Sequence, residues 1–169
     1  MKKSLLAVVL ALTMILLLAA PASAATYNRN LLAGRQGVDV GNVAINTDTN
    51  QITVTTDGGW EIILVQARIA GSKSGIPHNK NWNPRPSQFA DSASYGYETA
   101  TPHTPGDGVT SEAFSLSGPS GSGDYLAVHV VVAIYDSGIS DWVFEGAWAA
   151  GTQFNSGKNF AQYYVVSDF

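Results

Sequence analysis

Tyr125-Leu126-Ala127-Val128-His129-Val130-Val131-Val132-Ala133-Ile134-Tyr135 is the stretch whose reading decides the fold. At the two-residue period of a strand, Leu126, Val128, Val130, Val132 and Ile134 share one face. That face is entirely branched aliphatic and predicts a floor of the core. The other face, Tyr125, Ala127, His129, Val131, Ala133 and Tyr135, is also mostly apolar. A strand apolar on both sides belongs in the middle of a sheet, covered above and below. Burying the five aliphatic side chains contributes at most roughly 1.5–3 kcal/mol each.

Working outward, the flanking chain reads as more strands. Val38, Val40, Val43 and Ile45 alternate apart from Gly41, which breaks the pattern as a β-bulge does. Thr47-Asp48-Thr49-Asn50 is turn chemistry, and Ile52 and Val54 follow between threonines, completing a hairpin. Asp57-Gly58-Gly59 makes the next turn, and a long strand is expected from Trp60 to Ala70. Leu31, Leu32 and Ala33 predict a short edge strand. Further strands are expected over Val109–Leu116 and Phe160–Val166, Trp142–Trp148 reads as a strand or an irregular wall, and turns are expected at Asp136–Asp141 and loop over Gly151–Lys158. Ser117–Asp124 reads as a flexible Gly/Ser loop, and Tyr95 and Tyr97 sit at strand spacing in a polar connection. About seven to nine antiparallel strands with turns between them predict an all-β domain, a β-sandwich or jelly roll.

The N-terminus reads as an export signal. Lys2 and Lys3 precede an apolar run from Leu5 to Ala20, and Ala22-Ser23-Ala24 follows Pro21 as a small-x-small cleavage site. Residues 1–24 are thus expected to be a signal peptide, cut after Ala24 or Ala25, and residues 25–169 a single extracellular domain. No cysteine is present, so neither a disulfide framework nor a lipid-anchoring cysteine supports the exported chain. No second apolar span follows. Removing Lys2 and Lys3 shifts the net charge from −4 to −6, with no basic cluster, which argues against nucleic acid and anionic lipid as partners.

Gly71 to Phe89 differs from the rest. Pro77, Pro84 and Pro86 exclude a central strand, and Asn79, Asn81, Asn83 and Gln88 crowd between them. It reads as an ordered surface excursion with Ile76, Trp82 and Phe89 as apolar anchors. Sugar binding needs a flat aromatic face for C–H contact and amides for hydroxyls. Trp82 with Asn79, Asn81, Asn83 and Gln88 supplies both, unless Trp82 plugs the loop into the core.

Several segments resemble an uncharacterised secreted domain that recurs in bacterial and archaeal extracellular proteins. The matching residues are Leu31-Leu32-Ala33-Gly34 with Val38-Asp39-Val40-Gly41, Asp57-Gly58-Gly59-Trp60, Ile76-Pro77, Lys80-Asn81, Asn83-Pro84, Pro86 and Gln88-Phe89. Ala127-Val128-His129, Glu145-Gly146-Ala147-Trp148, Gly151 through Phe154 and Asn159-Phe160-Ala161 complete them. The resemblance implies an extracellular location and a β-sandwich, and it names no activity. Related sequences carry a polar Thr-Glu-Thr-His-like run where this chain has Ile63-Leu64-Val65-Gln66, so any site using that run is missing here.

Candidate catalytic chemistry centres on His129 and Glu145. Neutral imidazole serves as a general base near pH 7. A hydrolase would pair His129 with Glu145 and a serine, but no Gly-x-Ser-x-Gly elbow occurs. The structural alternative is a core histidine bonded to Glu145, a tyrosine or a carbonyl. Glu145, in an apolar stretch beside Trp148, is expected to be buried with a raised pKa, or paired with Arg68 or Arg35. A glycosidase pair would draw on Glu61, Glu98, Glu112 and Glu145. His78 and His103, in proline-rich loops, are expected to be solvated. Calcium is the one metal the composition suggests, through the turn aspartates Asp39, Asp48, Asp57, Asp136 and Asp141, though such residues also form Asx-turns.

The function this reading predicts is a secreted, non-catalytic cell-surface module. It binds a ligand, a glycan among the classes considered, or another surface protein. Self-association into a filament through an edge strand or the Tyr27–Ala33 arm is the alternative, and a hydrolase using Glu145 and His129 the second.

Overall fold

A computed structural model describes residues 26–89, 103–116 and 123–166. The export segment with its cleavage site, Tyr95, Tyr97, Glu98 and most of the Gly/Ser loop lie outside the described residues.

The protein is all-β, and its described residues form nine strands hydrogen-bonded into one antiparallel sheet. They are β1 (Thr26–Ala33), β2 (Val38–Asn46), β3 (Gln51–Thr56), β4 (Glu61–Ala70), β5 (Ser111–Ser115), β6 (Tyr125–Asp136), β7 (Asp141–Ala149), β8 (Thr152–Gln153) and β9 (Gln162–Val165). The order is β5-β3-β2-β1-β7-β6-β9-β8, with β4 on the other side of β6. Among the described residues no helix is long and apolar enough to cross a membrane.

β6 is the central element that its sequence predicts. It pairs with β4 along one side and with β7 and β9 along the other. Leu126, Val128, Val130 and Val132 are fully buried in the main core beside Leu31, Val43, Ile52 and Val65. Tyr135, near the end of its opposite face, is exposed, while the first part of that face is covered by a second, aromatic cluster. There Ala127 and Trp148 meet Ile76 and Phe89 of the 71–89 excursion and Phe154 and Ala161 of the loop after β7.

The sheet is rolled, so its two ends approach each other. The Ile62 N–H donates to Val109 O (2.7 Å) and the Thr56 N–H to Thr110 O (2.9 Å), so the chain entering β5 bridges β4 and β3. This rolled single sheet gives the main core two facing walls without two separate sheets.

β1 corrects one expectation. It is eight residues long and lies inside the sheet, between β2 and β7, because Leu31, Leu32 and Ala33 pair with Ala149, Trp148 and Ala147. Its polar first half, Thr26–Asn30, hid the strand from a reading that weighs apolar alternation, and it pairs with β2 alone. Gly41 does sit at a bulge: the β1–β2 register slips beside it. Its φ is +149°, and a Cβ there would lie 2.0 Å from Thr55 O, so only glycine lets β2 and β3 approach this closely.

Candidate functional site

The two residues nominated for catalysis lie on opposite faces of the sheet. Directly opposed residues in an antiparallel pair share a face. His129 opposes Trp148, which belongs to the aromatic cluster, whereas Glu145 opposes Val132, which belongs to the main core. They therefore line no common cleft. Glu145, expected to be buried, is exposed at the open end of that face.

His129 finds its partner on the other neighbouring strand. Its Nδ1–H donates to Gln66 Oε1 (3.0 Å), the residue directly across on β4, and its ring packs against Trp148 at 4.9 Å. Burial lowers its pKa to about 4, since desolvation disfavours the imidazolium. The partner is neither Glu145, a tyrosine nor a carbonyl: the pairing register, invisible in the sequence, selects Gln66.

The other two histidines, expected to be solvated, are half-buried and each has a partner. His103 Nε2 lies 3.0 Å from Glu112 Oε2. His78 Nδ1–H donates to Ile76 O (2.6 Å), and its ring stacks on Trp82 at 4.1 Å and 7°. Of the glutamates considered for a glycosidase pair, Glu61 accepts the Gly106 N–H (2.8 Å), Glu112 holds His103, and Glu98 lies outside the described residues.

The excursion is a tight hairpin, and its amides build it. Asn79 Oδ1 accepts the N–H groups of Asn81 (2.8 Å) and Asn83 (3.1 Å), while the Trp82 N–H donates to Asn79 O (2.9 Å). Asn83 Oδ1 accepts from Asn159 Nδ2, and Asn81 O from Asn155 Nδ2 (2.7 Å), which fastens the hairpin to the loop after β7. Asn81 and Gln88 remain exposed.

Trp82 is 39% exposed, so it does not plug the core. Its backbone sits in the left-handed region at φ +59°. The His78 ring stacks on the indole, and Lys73 Nζ stands over it, 4.9 Å from its centroid. Lys73 Nζ also stands over Tyr163 (5.1 Å) and Phe154 (5.8 Å) and donates to Phe154 O (3.0 Å). A sugar at Trp82 would share the indole with these two side chains.

The aspartates weighed for calcium are scattered over the sheet, and of the five Asp136 and Asp141 alone share a turn. Asp39 accepts from Asn30 Nδ2 (2.7 Å) and Asp136 from the Gly138 N–H (2.7 Å), each within its own turn or hairpin. Asp48 and Asp57 belong to the turns before and after β3. Asp141 opposes Asp136 at the end of the β6–β7 hairpin. Among the described residues no three His, Asp or Glu side chains gather as a metal site.

A groove around Trp60 was not singled out from the sequence. One hollow of about 390 Å³ is lined by the β1–β2 turn, including Arg35, Gln36 and Val38, and by Trp60, Val143 and Glu145. A second, of about 400 Å³, is lined by Trp60 and Val143 again, with Ile134, Tyr135, Asp136 and Ser137. Trp60 and Val143 are thus a shared wall between two adjoining hollows. A third, of about 190 Å³, shares Arg35 and adds Gln153, Lys158, Asn159 and Phe160.

Trp60 is rigidly mounted. Its N–H donates to Asp57 O (3.0 Å), its carbonyl accepts from Thr56 Oγ1 (2.7 Å), and its half-buried ring packs on the main core. The turn that delivers it needs positive φ at Gly58 (+61°) and Gly59 (+85°), which the Asp-Gly-Gly sequence supplies. A lone tryptophan directly after such a turn was the available signal. The hollows themselves come from chain segments far apart in sequence.

No known protein family, curated protein or solved structure matches this chain.

Proposed function

We propose that the chain is exported and works outside the cell as a non-catalytic binding module, with the groove around Trp60 as its binding surface. One observation carries this reading: Trp60, fixed by its turn, is the common wall of two adjoining hollows, each within the ~300–1,000 Å³ typical of small-molecule sites. An aromatic wall with a few polar groups at its ends is the usual make-up of such a site. The export-signal pattern of Lys2, Lys3 and Leu5–Ala20 supports the location, and the resemblance to a secreted domain of bacteria and archaea belongs to the same proposal.

The separation of His129 from Glu145 weighs against the hydrolase reading. The His78 ring stacked on Trp82 weighs against the excursion as the sugar platform, and the bonds from Asn155 and Asn159 give it the role of a clamp over the aromatic cluster.

The test is retention on extracellular material. The mature chain is expected to be held by cell-wall or secreted-polymer preparations from the producing cells, and Trp60→Ala to be released from them. Circular dichroism establishes that the variant is folded. Equal retention of the two proteins would place the binding surface elsewhere.

A further inference from the structure

We infer that the Trp60 groove takes a neutral oligosaccharide at least two sugar units long, an inference that rests on the binding reading above. Four features of the groove point to that ligand class. The first is the indole itself, a rigid apolar surface on which the C–H face of a pyranose packs.

The second is the polar composition of the hollows. The first has Arg35 as a donor, Glu145 as an acceptor and Gln36 as both; the second has Asp136 as an acceptor and Ser137 as both. Sugar hydroxyls both donate and accept, so they are satisfied by such a mixed lining. A purely apolar ligand would make no use of these groups.

The third feature is charge. In the two hollows Glu145 and Asp136 outnumber Arg35, and Lys158 of the third brings the three linings to balance on a chain that carries −4. A polyanionic chain of uronic acids or sulfated sugars finds no net positive charge there to hold it. A neutral sugar needs none.

The fourth is extent. Trp60 stands between two hollows, so a ligand that uses both passes across it and is longer than a single ring. Arg35 connects the first hollow to the third, where Gln153, Lys158 and Asn159 supply further polar groups. Binding therefore strengthens as the chain lengthens from two units toward four.

Isothermal titration calorimetry with cello-, chito- and manno-oligosaccharides of one, two and four units tests this, with tetragalacturonate as the anionic comparator. Binding by at least one neutral tetrasaccharide is expected, at least tenfold tighter than its monosaccharide and tighter than tetragalacturonate. Trp60→Ala should abolish it. Trp60 also packs on the core, so Glu145→Gln and Arg35→Ala, at exposed positions, serve as second variants, each expected to weaken binding fivefold or more. Trp82→Phe should bind as the parent does.

The inference is overturned by a panel in which no neutral saccharide binds, by tighter binding of tetragalacturonate, or by undiminished binding in all three groove variants. If Trp60→Ala loses retention on extracellular material while no saccharide competes with the parent, the binding module stands and its glycan ligand falls.

Discussion

His129 carries the clearest pH signature in the molecule. Its pKa in the folded chain is lowered to about 4 by burial, against an ordinary value of 6.5. Between those values the unfolded chain binds a proton that the folded chain refuses, so stability falls as pH drops through that window and is unaffected by this group above it. The full effect is on the order of 3 kcal/mol at the acid end. His129→Gln, which keeps a hydrogen-bonding side chain opposite Gln66 but does not titrate, is expected to flatten the urea-midpoint profile between pH 6.5 and 4. An unchanged slope would mean that the imidazole is solvated enough to protonate in place. The sequence shows a histidine among valines, which is sufficient to expect a packed and singly bonded ring. It does not show that β4 brings Gln66 opposite, because strand register is a tertiary property. Glu145 fails for the same reason: an apolar neighbourhood in sequence became an exposed position, although its cross-strand neighbour Val132 is fully buried.

Among the elements, β6 and the β2–β3 hairpin were readable because their apolar residues alternate, with one interruption at Gly41, and their turns carry Asp, Asn and Gly. β1 was only half readable, since the apolar signal begins at Leu31 although the strand begins at Thr26. The excursion was legible as an ordered, non-strand segment with apolar anchors, and Ile76 and Phe89 are indeed fully buried. The third anchor was not. Trp82 is engaged by Lys73 and His78 at a surface whose other members, Phe154, Asn155 and Asn159, lie more than seventy residues further along the chain. That difference between anchors is measurable. Phe89→Ala removes a fully buried ring that meets Trp148 edge-on at 6.3 Å, and is expected to cost about 3–5 kcal/mol in urea unfolding. Trp82→Ala removes one stacking and one cation–π contact, together about 1–2 kcal/mol, and leaves the left-handed strain in place because alanine keeps the Cβ. Comparable losses in the two variants would make Trp82 a core residue and contradict the clamp geometry.

For the whole molecule, the rolled sheet leaves no strand group with a core of its own. The main core takes Leu31 from β1, Val43 from β2, Ile52 from β3, Val65 from β4, Val130 from β6, Ala147 from β7 and Tyr164 from β9. The aromatic cluster is built on the same β6 and β7, through Ala127 and Trp148, so the excursion rests on strands that the main core already requires. Losing any wall exposes the others, which is the condition for all-or-none unfolding in a domain of this size. The four tryptophans report from separate places: Trp60 in the groove, Trp82 on the excursion, Trp142 in the β6–β7 hairpin and Trp148 in the aromatic cluster. Their combined fluorescence and the far-UV circular dichroism should therefore trace one coincident urea transition. An early fluorescence phase, lost in Trp82→Phe while the dichroism holds, would show the excursion opening before the sheet. In that case the clamp formed by Lys73, Trp82 and Asn159 would be a separate unit of stability, and the groove at Trp60, mounted on the main core, would survive its release.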